Sequence, residues 1–189
     1  MQTIEFQGAQ HLIPLLDEAV RRAEPRATTH AIKDLLCRLF RERDVELPAS
    51  VCTPCAETYA RRLLYRSDEL GYTVVAMTWG PGQGTLIHDH AGMWCVEGVW
   101  QGQIEVQQYE IAEKRGESYR FEHCGTIQAG MGSAGCLIPP HEYHLIRNPL
   151  TDQSAVSLHI YGGEMCNCHV FEPRDNGWYQ RALKPLSYT

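Results

Sequence analysis

The stretch Pro81-Gly82-Gln83-Gly84-Thr85-Leu86-Ile87-His88-Asp89-His90 decides how this chain is read. Thr85, Leu86 and Ile87 form a β-like run, and two histidines one residue apart on such a run point to the same face. Glycine-rich turn chemistry precedes them, and apolar sequence follows through Trp94, Val96 and Val99. A pair of this kind can hold two positions of one metal ion, so a third ligand must come from elsewhere. The best candidate is His144 in Pro139-Pro140-His141-Glu142-Tyr143-His144, with His141 its main competitor. Asp89 has the opposite parity and points away. Glu97 shares the parity of Cys95 and is a conceivable fourth ligand, but its spacing is wrong.

Outward from this stretch the chain divides by pattern. Residues 9–23 read as a helix, with Leu12, Ile13, Leu15, Leu16 and Val20 on one side and Pro14 tolerable only near its first turn. Thr28-Thr29 is the expected cap of a second helix over 30–43, whose Ile32, Leu35, Leu36, Leu39 and Phe40 recur at helical spacing. A third helix is expected at roughly 54–66. From Tyr72 onward short β-rich runs are punctuated by Gly, Pro and Asn, over 72–79, 85–90, 93–100, 103–110, 117–123, 125–129, 135–138, 143–148, 154–161 and 168–172. Such spacing suggests a sandwich or barrel. The expectation is one mostly β domain: a helical N-terminal layer over 1–70, a barrel carrying the metal site over 71–175, and a tail over 176–189.

Composition narrows the class. At 189 residues and 43% hydrophobic the chain can bury a sizeable core. It carries 17 basic against 23 acidic residues, a formal charge of −6, with no Lys/Arg-rich block. A nucleic-acid partner is therefore not expected. No apolar run approaches the roughly 20 residues that cross a bilayer, and the start has no secretory pattern. A cytoplasmic chain, with a monomer favoured, is the expectation. Its eight cysteines then read mostly as small buried groups rather than disulfides. Cys52/Cys55 and Cys166/Cys168 could together supply a four-thiolate zinc site, against which stand the single-residue gap of the second pair and the distance between the pairs.

The spacing resembles the two motifs of the cupins, small β-barrels of jelly-roll type. Their first motif runs Gly, five residues, His-x-His, three or four residues, Glu, six residues, Gly. Here Gly82 precedes His88-Asp89-His90 by that interval, Cys95 stands where the motif has Glu, and Gly102 completes it. The second, Pro-x-Gly-x-x-His-x-x-x-Asn, is met by Pro139, His144 and Asn148, with His141 replacing glycine. If Cys95 does not bind the metal, three neutral imidazoles leave positions free for a substrate thiolate and a gas.

Four blocks between Tyr59 and Cys168 resemble the cysteine dioxygenases, the thiol dioxygenase branch of the cupins. They are Tyr59-Ala60-Arg61-Arg62, Trp79-Gly80-Pro81-Gly82 with Ile87-His88-Asp89-His90, Cys95, and Ala155-Val156-Ser157-Leu158-His159-Ile160-Tyr161. The resemblance implies Fe(II) on His88, His90 and His144, with L-cysteine and O2 as substrates and cysteine sulfinic acid as product. It implies that Arg61 binds the substrate carboxylate and that Tyr59 helps position it, whereas Arg62 keeps the ordinary reading of a solvated helix face. It places the Tyr161 hydroxyl near the iron, held by His159 and Ser157, and allows a thioether between Cys95 and Tyr161. Gly162-Gly163 departs from the animal-type pattern and resembles the bacterial branch acting on 3-mercaptopropionate, but Arg61 and Cys95 do not fit that branch. The competing readings are a 3-mercaptopropionate dioxygenase, a non-catalytic metal-binding cupin that senses small thiols, and a metal-dependent isomerase or other cupin oxygenase. Zinc competes with iron, since three histidines also suit it.

Overall fold

The computed structural model describes residues 4–189. Two helices, α1 (Ala9–Val20) and α2 (Pro25–Glu42), open the chain, followed by a single turn, α3 (Ala49–Cys52). Eleven strands follow: β1 (Ala60–Ser67), β2 (Tyr72–Trp79), β3 (Ile87–His88), β4 (Cys95–Gln101), β5 (Gln103–Arg115), β6 (Ser118–Gly130), β7 (Ala134–Leu137), β8 (His144–Arg147), β9 (Ala155–Tyr161), β10 (Asn167–Pro173) and β11 (Tyr179–Pro185). Five strands form a sheet in the order β1-β2-β9-β4-β7, and six close on themselves in the order β10-β11-β6-β5-β8-β3. This is the expected mostly β barrel with its helices at the N-terminal side.

Strand alternation decides what faces the site. Both β2 and β9 are buried along their whole length. Tyr72, Val74 and Ala76, with Val156, Leu158 and Ile160, pack under Leu12, Leu16, Ile32, Leu36 and Phe40 of the helices. The opposite parity, Val75, Met77 and Trp79 with Ala155 and Tyr161, joins Cys95, Val99, Ile104 and Ile146 in the barrel interior. Ser157, His159 and Tyr161 therefore point inward because Val156, Leu158 and Ile160 are taken by the helical layer.

Five expectations need correction. Residues 60–67 are a strand, not the end of a helix over 54–66. Arg61 and Leu63 pair with Met77 and Val75, and a bulge between Leu63 and Tyr65 sets Leu63 and Leu64 side by side as buried neighbours, which imitates helical spacing. Arg62, read as a solvated helix face, instead donates from its guanidinium to the carbonyls of Val51 and Thr53 at 2.9 and 2.8 Å and ties α3 to the sheet. The second helix starts five residues early, because Glu24 caps it with both carboxylate oxygens and Pro25 takes the first helical position; Thr28 and Thr29 are buried inside it. Pro14 lies inside α1 rather than only in its first turn. Residues 179–185, expected as tail, form β11 against β10 and β6.

The motif residues that bind no metal have structural work. Asn148 is fully buried, and its amide donates to the carbonyls of Trp79, Gly80 and Gln153 while its oxygen accepts from the Leu150 N–H. Gly102 sits at φ +77°, and a Cβ there would lie 3.0 Å from the backbone of Ala155. Only glycine meets both demands.

Candidate metal centre

The short strand β3 pairs with β8 so that His88 and His144 are direct partners. His90 follows two residues on and returns to the same side. One ring nitrogen from each of His88, His90 and His144 lies within 4.8 Å of the others, and these three are the one such cluster of His, Cys, Asp and Glu among the described residues. The two Nε2 atoms of His88 and His144 are 3.2 Å apart. An ion bound at roughly 2.0–2.1 Å by each would set neighbouring nitrogens about 3.0–3.5 Å apart, so the spacing fits a shared cation.

The outer nitrogens complete the argument. His88 Nδ1 faces the Leu86 carbonyl at 3.0 Å, and His90 Nδ1 faces the Glu142 carboxylate at 3.1 Å. Each acceptor takes the Nδ1 proton and leaves Nε2 bare for a metal. Glu142 also accepts the backbone N–H of His90 at 2.8 Å. His144 Nδ1 has no hydrogen-bond partner, but the buried Glu97 carboxylate is 3.5 Å away. Burial pushes His88 down to about 3 and holds His144 well below the usual imidazole range, so both are neutral and can ligate.

His141 is excluded by placement. Its side chain is 75% exposed and pairs with Glu110 on the surface. Asp89 points away as its parity requires, accepting from the backbone and ring of His169 at 2.9 Å. Glu97 is near the cluster without joining it; its other oxygen lies 3.6 Å from His159 Nδ1, and burial raises its carboxyl to about 8. Cys52, Cys55, Cys166 and Cys168 do not assemble as a four-thiolate site, and all eight cysteines are free. Cys95 and Cys168 are buried as expected, whereas Cys124 and Cys166 are exposed.

A pocket beside the cluster is lined by His88, His159, Tyr161, Arg61, Tyr59 and Lys184, among others. Arg61 is 4% exposed. Its guanidinium donates to the Met165 carbonyl at 3.1 Å and the Ser187 carbonyl at 3.5 Å, and lies 5.2 Å from the centroid of the Tyr188 ring. Nε remains buried without a partner. Two of five donors are thus taken by the backbone, and the rest are left for an anion. The guanidinium of Arg61 is thus held by Met165, Ser187 and Tyr188 rather than by Tyr59, whose ring stacks on Trp79 at 4.5 Å.

Along β9, Ser157 Oγ is 2.8 Å from His159 Nε2, and His159 Nδ1 is 3.4 Å from the Tyr161 hydroxyl. The indole of Trp79 donates to Ser157 at 2.9 Å. Trp79, Ser157, His159 and Tyr161 thus form one hydrogen-bonded chain that ends at the Tyr161 hydroxyl in the pocket wall. Cys95 is the direct cross-strand partner of Tyr161, and burial keeps both in their neutral forms. Trp79, Glu97 and Glu142 complete these contacts; in the sequence Trp79 stands in one of the resemblance blocks, Glu97 reads only as a conceivable fourth ligand, and Glu142 has only its place between His141 and His144. Glu142→Gln should weaken metal binding by about 10–100-fold, read by titration of the apoprotein, while the thermal transition moves little.

The family model described as cysteine dioxygenase type I matches residues 55–174. Cysteine dioxygenase type 1 of Rattus norvegicus and that of Homo sapiens are each 26% identical over 124 residues, which is 61% of this chain and 56% of theirs. The chain spans about half the length of the curated relatives it matches. Among solved structures, a conserved protein with a double-stranded β-helix domain from Klebsiella pneumoniae is 15% identical with a TM-score of 0.47, over 64% of this chain and 85% of that one. No helix of the described residues is long and apolar enough to cross a membrane. The matched span contains the three histidines, Arg61, Cys95 and the Ser157–Tyr161 strand, and the chain belongs to the cysteine dioxygenase type I family.

Proposed function

We propose that this chain is a non-haem Fe(II) thiol dioxygenase that oxidises L-cysteine with O2 to cysteine sulfinic acid. The observation that carries the reading is the convergence of three imidazoles beside a pocket walled by the incompletely paired Arg61. His88, His90 and His144 would hold a ferrous ion, which would supply the redox chemistry that joins a thiol and dioxygen. Sulfur loses four electrons and dioxygen gains four, so both oxygen atoms end on the substrate and no reductant is needed. Arg61 clamps the carboxylate by charge-assisted hydrogen bonds and fixes the distance of the thiol from the histidines. Tyr161 donates its hydroxyl proton toward the reacting groups, held in direction by His159, Ser157 and Trp79.

Cys95 and Tyr161, direct partners across β4 and β9, would form a thioether between Sγ and a ring carbon. That bond releases two hydrogens, a two-electron oxidation for which O2 is the oxidant. The intact mass should fall by two hydrogens after turnover with iron, cysteine and O2, and stay constant in Cys95→Ala. An unchanged wild-type mass after many turnovers would remove the crosslink from the reading.

One observation favours a second substrate. Lys184, 5.7 Å from the centroid of the Tyr59 ring, puts another cation in the wall beside Arg61. It opposes the ammonium of L-cysteine and leaves an amine-free thiol acid such as 3-mercaptopropionate unopposed. Gly162-Gly163 adds nothing to that alternative, because packing alone accounts for it: a Cβ at Gly162 would lie 2.4 Å from the Trp94 indole nitrogen, and one at Gly163 would lie 2.6 Å from the Met93 sulfur. Oxygen uptake by iron-loaded protein, with L-cysteine and 3-mercaptopropionate side by side and products identified by mass, tests the choice. Preferential cysteine sulfinate supports the first reading, preference for the other thiol supports the second, and no uptake with either sinks both.

A further inference from the structure

The substrate pocket is the narrower of two neighbouring cavities, about 20 Å³ against about 160 Å³. The larger lies where β4 and β7 face β5 and β6, and the one residue common to both linings is Ile146. Its inner wall is aliphatic, with Val99, Ile104, Val106, Ala129 and Leu137 joining Ile146, while the exposed Gln108 and Gln128 line it where it opens to solvent. Val99, Ile104, Leu137 and Ile146 are each no more than 5% exposed. Glu97 and Ser157 also border it, and both are engaged with the site: Glu97 faces His144 and His159, and Ser157 bonds His159. The cavity therefore reaches to within one side chain of a metal ligand. At the other end is Ile127, 49% exposed on β6.

The chemistry of such a space is selective. A cavity of about 150 Å³ lined by aliphatic side chains stays dry and takes up benzene or xenon. An ammonium or carboxylate would lose its hydration there without a partner, which costs several kcal/mol. A small, uncharged, apolar diatomic loses nothing. The pocket carrying Arg61 and Lys184 has the opposite character, and a bound thiol acid would obstruct it.

We propose that the larger cavity is a dioxygen site, through which O2 reaches the histidine cluster by a path separate from that of the thiol. Ile146, shared by both linings, is the partition between the two spaces. This inference rests on the reading of the chain as a thiol dioxygenase. It adds a division of labour: the polar pocket admits the anionic thiol, and the apolar cavity admits the gas.

Xenon pressurisation of crystals tests occupancy without any turnover, in metal-free and iron-loaded protein alike. Xenon is expected among Val99, Ile104, Val106 and Leu137. Ala129→Phe should fill the cavity, remove the xenon, and raise KM for O2 several-fold, with KM for the thiol and kcat at saturating O2 unchanged. Ala129→Met gives a smaller, flexible filling should the phenyl ring destabilise the fold, and should act in the same direction. An empty cavity under xenon, or a filled one with unchanged KM for O2, overturns the proposal while thiol oxidation stands. Absence of O2 uptake by the wild-type protein with every thiol overturns the functional reading first, and the gas path with it.

Discussion

Replacing His144 by alanine should empty the metal site and abolish thiol oxidation, while His141→Ala, three residues away, should leave both nearly intact. The contrast follows from placement. His144 is 1% exposed, pairs directly with His88 across β3 and β8, and brings Nε2 to 3.2 Å from its neighbour. His141 meets only Glu110 on the surface. Loss of an outer hydrogen-bond partner already costs a metal site about 10–100-fold in affinity. Loss of one of three protein ligands should exceed that, leaving two histidines and solvent. Iron content and oxygen uptake, measured on the same preparations, check the result. The thermal transition separates it from simple unfolding, because the variant also leaves a cavity next to the buried Glu97. Retained iron with near-normal uptake in His144→Ala would mean that another group completes the site.

The clustering of the three histidines was legible because its geometry is local at two points and patterned at the third. His88 and His90 share a face by strand parity, and His144 keeps the motif spacing to Asn148, whose buried amide ties the end of β2 to the segment after Asn148. Ser157, His159 and Tyr161 were legible for the same reason, since parity alone puts them on one face of β9. The misreadings have a common cause in contacts that span long stretches of chain. Residues 60–67 looked helical because a bulge sets Leu63 beside Leu64 and because two arginines are not expected within a buried strand. Their heads are satisfied by carbonyls of Val51, Thr53, Met165 and Ser187, which no local pattern reveals. Glu142 reaches His90 across 52 positions, and Trp79 reaches Ser157 across 78. The segment expected as a tail supplies β11, Lys184 and Leu186, so part of the pocket beside the histidines was hidden in the stretch with the weakest signal.

Arg61→Gln should lower kcat/KM for a thiol acid by roughly two to three orders of magnitude, which corresponds to about 3–4 kcal/mol. The size follows from burial. A carboxylate entering the pocket loses water, and only a charge-assisted partner at close range offsets that loss. The surroundings of Arg61 bring no carboxylate of their own to it: its contacts are two backbone carbonyls and the face of Tyr188, with Nε unpaired. Glutamine keeps a polar side chain but not the charge. Arg61→Lys keeps the charge but loses the planar fork, and should recover part of the activity with a poorer KM. A substrate lacking the carboxylate, 2-aminoethanethiol, separates recognition from folding, since its slow oxidation should be nearly the same in wild type and variant. Lys184→Gln completes the comparison. If Lys184 opposes the ammonium group, its removal should raise kcat/KM for L-cysteine relative to 3-mercaptopropionate; if it supports Arg61 in holding the carboxylate, both should fall together. A loss in Arg61→Gln that is equal for 2-aminoethanethiol and L-cysteine would instead assign Arg61 to anchoring the C-terminal segment, and the carboxylate would need another partner.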